Sequence, residues 1–152
     1  MGIAAITQDY LHANSHALKL WRETYSNLLG TNQLLTQLIV GIALTDTFST
    51  EIFLKDFTKD LASNCSGVRQ DSGDPIAFVP RIVRHYKENN VNPKDKTIVF
   101  SDSLDVERCL ELKKWADKHG IGSSFGVGTF LTSYPNVYVS VNSRRLFEEK
   151  GS

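Results

Sequence analysis

The 152-residue chain is 41% hydrophobic and 22% charged, a globular composition with length for one domain at most. Seventeen basic residues balance seventeen acidic ones, with no run of five like charges. That argues against a nucleic-acid partner held by a basic patch. No apolar stretch reaches the roughly 18 residues of a membrane helix, so no membrane partner is expected. The apolar patch at Ile3-Ala4-Ala5-Ile6 has no basic region before it and does not read as a signal peptide. Cys65 and Cys109 lie far apart and match no metal spacing, so they are expected as reduced, small apolar residues of a cytosolic protein.

From the N-terminus, Tyr10, Ala13, Ala17, Leu20 and Trp21 recur at three- and four-residue steps, predicting a helix over 7–25 with one apolar packing face. The leucine-rich stretch 28–40 has no clean period and is assigned to no element. From Gly41 the pattern becomes regular. GIALTD (41–46), CSGVRQ (65–70), TIVF (97–100) and SSFGV (123–127) are strand candidates. Helices are predicted between them, over 49–62, 75–89 and 104–119. Strands alternating with helices at this spacing are the pattern of successive βαβ units and a parallel sheet.

Local signals support these helices. Asp74 before Pro75 supplies an N-cap followed by proline at the first helical position. Ile76, Val79, Ile82, Val83 and Tyr86 give the second helix its packing stripe. Pro80 conflicts with it and predicts a kink or an irregular first turn. Ser103 is expected to cap the third helix, with Asp105 and Glu107 in its first turn and Gly120 ending it. Beyond this helix NVYVSV (136–141) alternates like a strand, and the charged end reads as a frayed terminus.

Three of these strands finish in aspartate: Asp46, Asp71 and Asp102. The fourth finishes in Gly126-Val127-Gly128-Thr129. In a parallel fold these carboxyl ends share one face, where α/β proteins place their chemistry. Arg69 and Asp71 stand two residues apart and project to the same side of an extended strand. Each feature has a plainer reading. A strand-end aspartate is commonly a helix cap, a single arginine a solvated side chain, and a glycine turn only a turn. Together they describe an acidic pocket with one arginine and backbone N–H groups able to cradle a phosphate. Its carboxylates could hold Mg2+ or accept from sugar hydroxyls, which suits a phosphosugar ligand. His12 and His16, at i and i+4, have metal-compatible spacing but no third ligand nearby. His85 and His119, near helix ends, are expected to be solvated or to face the negative helix dipole. No Ser-His-Asp arrangement, Walker A loop or GxGxxG loop is present.

The motifs GIALTDTF (41–48), GVRQDSGDP (67–75), IVFSDSLDVE (98–107) and SFGVGT (124–129), in this order and spacing, resemble the nicotinate phosphoribosyltransferase family. TQDYLHAN (7–14) resembles its fungal branch. The resemblance implies conversion of nicotinate and phosphoribosyl pyrophosphate to nicotinate mononucleotide and diphosphate, the entry to NAD by salvage, with ATP hydrolysis and Mg2+. It implies an irregular α/β barrel, of which residues 1–132 would form about half; against the family pattern 28–40 looks like an insertion and 133–152 like a divergent tail. A homodimer is implied for the full-length protein, in the cytoplasm with the nucleus as a second compartment.

By the same resemblance Arg69 would face the pyridine and phosphate region. Asp71 and Asp102 would hold the ribose or its metal, and Gly126, Gly128 and Thr129 the 5′-phosphate. Asp46, Ser72 and Ser103 are further substrate-binding candidates. The family's phosphorylated histidine sits in a G-T-x-A-H-E-W motif expected ahead of Met1, so no catalytic residue is assigned within the chain, and neither His12 nor His16 takes that role. Two other readings stay open: a truncated paralogue that binds phosphoribosyl ligands or a full-length subunit without turnover, and nicotinamide phosphoribosyltransferase. RQDSGDP and the D-T-F stretch favour the nicotinate enzyme. Four decorated strand ends in succession favour the barrel over a flavodoxin-like domain, which places its site at one switch point. A complete barrel needs about 250 residues.

Overall fold

The computed structural model describes residues 2–29 and 41–127. The predicted insertion beyond Leu29, Gly128, Thr129 and the strand-like 136–141 therefore lie outside the described residues. Two helices open the chain, α1 (Gly2–Thr7) and α2 (Ala13–Leu29). The repeating part follows as β1 (Ile42–Leu44), α3 (Thr50–Asp56), α4 (Lys59–Asn64), β2 (Gly67–Gln70) and α5 (Pro75–Glu88). A 3-10 turn (Pro93–Asp95), β3 (Thr97–Phe100), α6 (Val106–His119) and β4 (Gly122–Phe125) complete it.

The strands pair in parallel in the order β1-β2-β3-β4. This order never reverses. Right-handed crossovers then place every connecting helix on the same face of the sheet, whereas a doubly wound sheet reverses its order and covers both faces. The winding is that of one half of a (β/α)8 barrel.

Side-chain alternation along each strand follows from it. Ala43, Val68, Ile98 and Phe100 point to the helices and are fully buried, in one core with Phe53, Phe57, Val79, Ile82, Tyr86, Leu112 and Ala116. Fully burying each large side chain there is worth about 1.5–3 kcal/mol. On the opposite face Ile42 and Leu44 remain 42% and 40% exposed, Arg69 is exposed, and Thr97, Val99 and Ser124 are half-buried.

Several helix details depart from the sequence expectation. The helix predicted over 7–25 begins only at Ala13, after the separate α1, because Gln8 takes a left-handed φ of 55° and the Asp9 carboxylate accepts from the His12 N–H. Its expected packing face is also turned outward. Ala13 is buried, but Tyr10, Leu20 and Trp21 are 62%, 50% and 48% exposed. The helix is set instead by the buried Asp56 carboxylate, which accepts from the Ser15 N–H at 2.6 Å and caps α2 from α3. The predicted helix over 49–62 breaks at Phe57 and Thr58. There His85 Nε2–H donates to the Phe57 carbonyl at 2.8 Å, so His85 closes a helix end rather than facing solvent. His119 likewise donates to the Trp115 carbonyl. Lys96, buried, donates to the carbonyls of Ser63 and Cys65 at the end of α4.

Helix α5 runs unbroken through Pro80. The proline lacks the N–H that would bond the Ile76 carbonyl four residues back. Trp115 Nε1–H of α6 takes its place on Ile76 O at 3.0 Å. The cap of α6 is Asp105, whose carboxylate accepts from the Arg108 N–H at 2.7 Å. Ser103 is not the cap: it sits at φ 49° and its hydroxyl donates to Asp102. Gly120 ends α6 in the left-handed conformation, as expected.

Candidate active site

Arg69 of β2 pairs with Leu44 on one side and Val99 on the other, and Val99 pairs with Ser124. Two residues further along each chain this register brings Asp46, Asp71, Ser101 and Gly126 to one level, at the carboxyl ends and on the open face. Backbone bonds carry the ladder into this level: Thr45 N–H donates to Arg69 O, Ser101 N–H to Gln70 O, and Gly126 N–H to Phe100 O.

Within the level the side chains form a closed network. Arg69 Nη2 donates to Asp71 Oδ1 at 2.9 Å, and Arg69 Nε donates to Ser101 Oγ at 2.9 Å. The Ser101 hydroxyl in turn donates to Asp71 Oδ1. Ser72 Oγ donates to the Asp46 carboxylate, joining the β1 end to the loop after β2. The hydrogen bond from Ser101, with a smaller contribution from the Arg69 guanidinium, holds the Asp71 carboxyl below the ordinary 3.8. Asp71 is thus an anion throughout the neutral range.

The loop that carries these groups is fixed from beneath. Gln70 alternates to the covered face, is 2% exposed, and its Nε2 donates to the carbonyls of Ser72 and Gly73. Gly73 turns the chain at φ 80°, a conformation that disfavours a side chain. Asp74 then accepts from the Ile76 N–H at 2.9 Å and starts α5, as predicted.

Of the sequence-predicted site residues, Arg69 and Asp71 are in contact, Asp46 bonds Ser72, and Gly126 lies beside Ser101. A Cβ at Gly126 would meet Ser101 Cβ at 3.5 Å. Asp102 and Ser103 bond each other at 2.9 Å, one residue past the shared level. Gly128 and Thr129 lie outside the described residues. The sequence reading missed Ser101 and Gln70. Ser101 had a visible signal, since it stands one residue after β3 as Asp71 stands one after β2. Gln70 had only its place in a buried strand.

Among the described residues no group of three or more His, Cys, Asp or Glu side chains could hold a metal ion. Mg2+ commonly needs only one or two carboxylates when phosphates supply its other ligands. Asp46, Asp71 and Asp102 at the strand ends are carboxylate donors of the kind Mg2+ accepts. His12 contacts Asp9 on the surface, and the thiol of buried Cys65 is pushed up to about 11. Neither group joins the site. Cys65 and the half-buried Cys109 are both free thiols.

The exposed Arg69–Asp71 pair adds only about 0–1 kcal/mol to folding. Arranged at the strand ends, it offers a fixed cation, a fixed anion and a glycine beside them, a set suited to a phosphorylated sugar.

Comparison with known proteins shows the family and the fold. The nicotinate phosphoribosyltransferase (NAPRTase) family model matches residues 1–144, past Thr132 and across 28–40. A protein named probable nicotinate phosphoribosyltransferase of Schizosaccharomyces pombe is 51% identical over 137 residues, covering 88% of this chain and 31% of that protein. The nicotinate phosphoribosyltransferase of Saccharomyces cerevisiae is 41% identical, over 88% of this chain and 29% of its own length. The solved nicotinate phosphoribosyltransferase of Porphyromonas gingivalis superimposes with a TM-score of 0.75 at 37% identity, over 90% of this chain and 32% of its own. The chain thus spans about three-tenths of the length of these relatives. It belongs to the nicotinate phosphoribosyltransferase family.

Proposed function

We propose that the protein containing this chain transfers a phosphoribosyl group to nicotinate, releasing diphosphate and forming nicotinate mononucleotide. The observation that carries this reading is the single level of Arg69, Asp71, Ser101 and Gly126 at the strand ends, in a chain of this family. Displacement at the anomeric carbon develops positive charge on the ribose ring. A fixed carboxylate such as Asp71 stabilises that charge without reorganising. Arg69 offers planar donors to the anionic groups of the substrates, Asp102 a carboxylate to ribose hydroxyls, and Gly126, Gly128 and Thr129 their N–H groups to the 5′-phosphate.

Mg2+ would be held by Asp71 or Asp102 together with the diphosphate, whose charge it would neutralise. ATP hydrolysis as driving force, a homodimeric full-length state and a cytoplasmic or nuclear site of action belong to the same proposal.

The test is formation of nicotinate mononucleotide from nicotinate, phosphoribosyl pyrophosphate, ATP and Mg2+, read by mass spectrometry with nicotinamide as competing substrate. A nicotinate product supports the reading, whereas a product from nicotinamide alone would move it to the related nicotinamide enzyme. A second reading is a module that binds phosphoribosyl ligands or a full-length subunit without turnover. The exposure of the apolar Ile42 and Leu44 on the open face of the sheet favours it. Ligand-induced stabilisation without product would support that alternative.

A further inference from the structure

Ser101 stands apart from the residues singled out by motif, yet it sits at the centre of the site's hydrogen bonding. Its Oγ accepts from Arg69 Nε at 2.9 Å and lies within bonding reach of both Asp71 Oδ1 and Gln70 O. A hydroxyl has one proton to donate. Gln70 O already accepts the Ser101 N–H, and a carboxylate is the stronger acceptor, so the proton goes to Asp71. The result is a ring of three bonds, Arg69 to Ser101, Ser101 to Asp71 and Arg69 to Asp71.

This ring has a consequence for the guanidinium. Nε and Nη2 form one edge of the planar fork, and both are engaged. Among the described residues no hydrogen bond engages Arg69 Nη1 or Asp71 Oδ2. The fork is therefore fixed in its plane with its outer edge free for a planar or tetrahedral anion, and one carboxylate oxygen stays available beside it. Without Ser101, Arg69 would keep a single exposed contact, which is too weak to hold one rotamer of a long side chain.

We propose that Ser101 is a positioning residue: it sets the plane of Arg69 and the orientation of Asp71, so that the two address the anionic and ribose parts of one ligand together. This deepens the phosphoribosyl-transfer reading and, for its kinetic consequence, rests on it. Ser101 need not touch the substrate to act.

Two measurements test the proposal separately from the reaction. In the chain itself, 15N NMR of the arginine Nε–H groups should show a slowly exchanging Arg69 signal. Ser101→Ala should move it to the exposed-arginine position, and Ser101→Thr, which keeps the hydroxyl, should retain it. In the full-length protein Ser101→Ala should lower kcat/KM about 10- to 100-fold, the scale of a small misplacement of reacting groups. Ser101→Thr should recover most of that loss. In an Arg69→Lys background, where no Nε donor exists, Ser101→Ala should cost less than about 3-fold more, as expected of residues acting as one unit.

An Arg69 Nε–H signal unchanged in Ser101→Ala would overturn the proposal, as would equal losses from Ser101→Ala in the native and Arg69→Lys backgrounds. If the NMR result holds while no nicotinate product forms, the positioning role stands and the transferase reading fails. The two failures are thereby distinguishable. A thermal melt of each variant guards against simple unfolding, and Ser101→Thr provides the folded comparison if Ser101→Ala is lost.

Discussion

The two faces of the sheet are built from the same strands by alternate residues, yet they do different work. Toward the helices stand Ala43, Val68, Ile98 and Phe100, each fully buried, with Gln70 among them. Toward the open side stand Leu44, Arg69, Val99 and Ser124, and beyond them Asp46, Asp71, Ser101 and Gly126. One face carries the folding free energy. The other carries exposed charge worth little to folding, and the proposed ligand site lies at its carboxyl end. Changes on the covered face should therefore alter stability, and changes on the open face should alter binding with the fold intact.

The largest effect should come from Phe100→Ala, which empties a fully buried site stacked against Phe125. We expect a loss of about 3–5 kcal/mol in urea unfolding. The next concerns Trp115→Phe, which strands the Ile76 carbonyl opposite Pro80, at about 1–3 kcal/mol. Adding Pro80→Ala should recover part of that loss, since the substitution restores a backbone N–H four residues from Ile76. No recovery would mean that the tryptophan contributes by packing alone. Asp105→Ala should cost about 0.5–2 kcal/mol, the worth of a helix cap, and Ser103→Ala close to nothing. The reverse order would restore Ser103 as the cap.

On the open face the sign of the comparison inverts. Gly126→Ala meets only ordinary contacts and should change stability by less than about 0.5 kcal/mol, while weakening phosphoribosyl pyrophosphate binding measured by calorimetry. Equal affinity would remove Gly126 from the phosphate site.

The smallest effect is electrostatic. Asp71 is depressed below the ordinary 3.8, first by Ser101 and then by Arg69. Its contribution to stability is fully present above that value and fades as pH falls through the native pKa. A carboxyl-carbon NMR titration should give a midpoint below 3.8, rising toward it in Ser101→Ala. A midpoint at the ordinary value in the native chain would break the three-bond ring.

Much of this was legible in the sequence because it is local. Short apolar runs, three ended by aspartate and one by glycines, placed the four strands to within about two residues, and Asp74-Pro75 placed the start of α5. What escaped depends on contacts between distant residues. Helix α5 tolerates Pro80 because Trp115, 39 residues from Ile76 in the chain, supplies a donor no local window contains. The apolar stripe of α2 was real, but Asp56 holds the helix with Leu20 and Trp21 outward. The break at Phe57 and Thr58 carries neither glycine nor proline, and its free carbonyl is answered by His85. Ser101 escaped for the same reason: its role depends on the register between β2 and β3, not on a motif. Arg69 and Asp71 were legible because their pairing is a two-residue spacing across the end of one strand.

The most direct test of the division between the two faces is a 1H–15N titration of the chain with phosphoribosyl pyrophosphate and Mg2+. The account predicts that the amide shifts concentrate at Asp46, Asp71, Ser101 and Gly126, leaving Val68, Ile98 and the α5–α6 contact at Trp115 unmoved. Shifts concentrated along α6 at Glu107, Leu110 and Trp115, or none anywhere at saturating ligand, would contradict it.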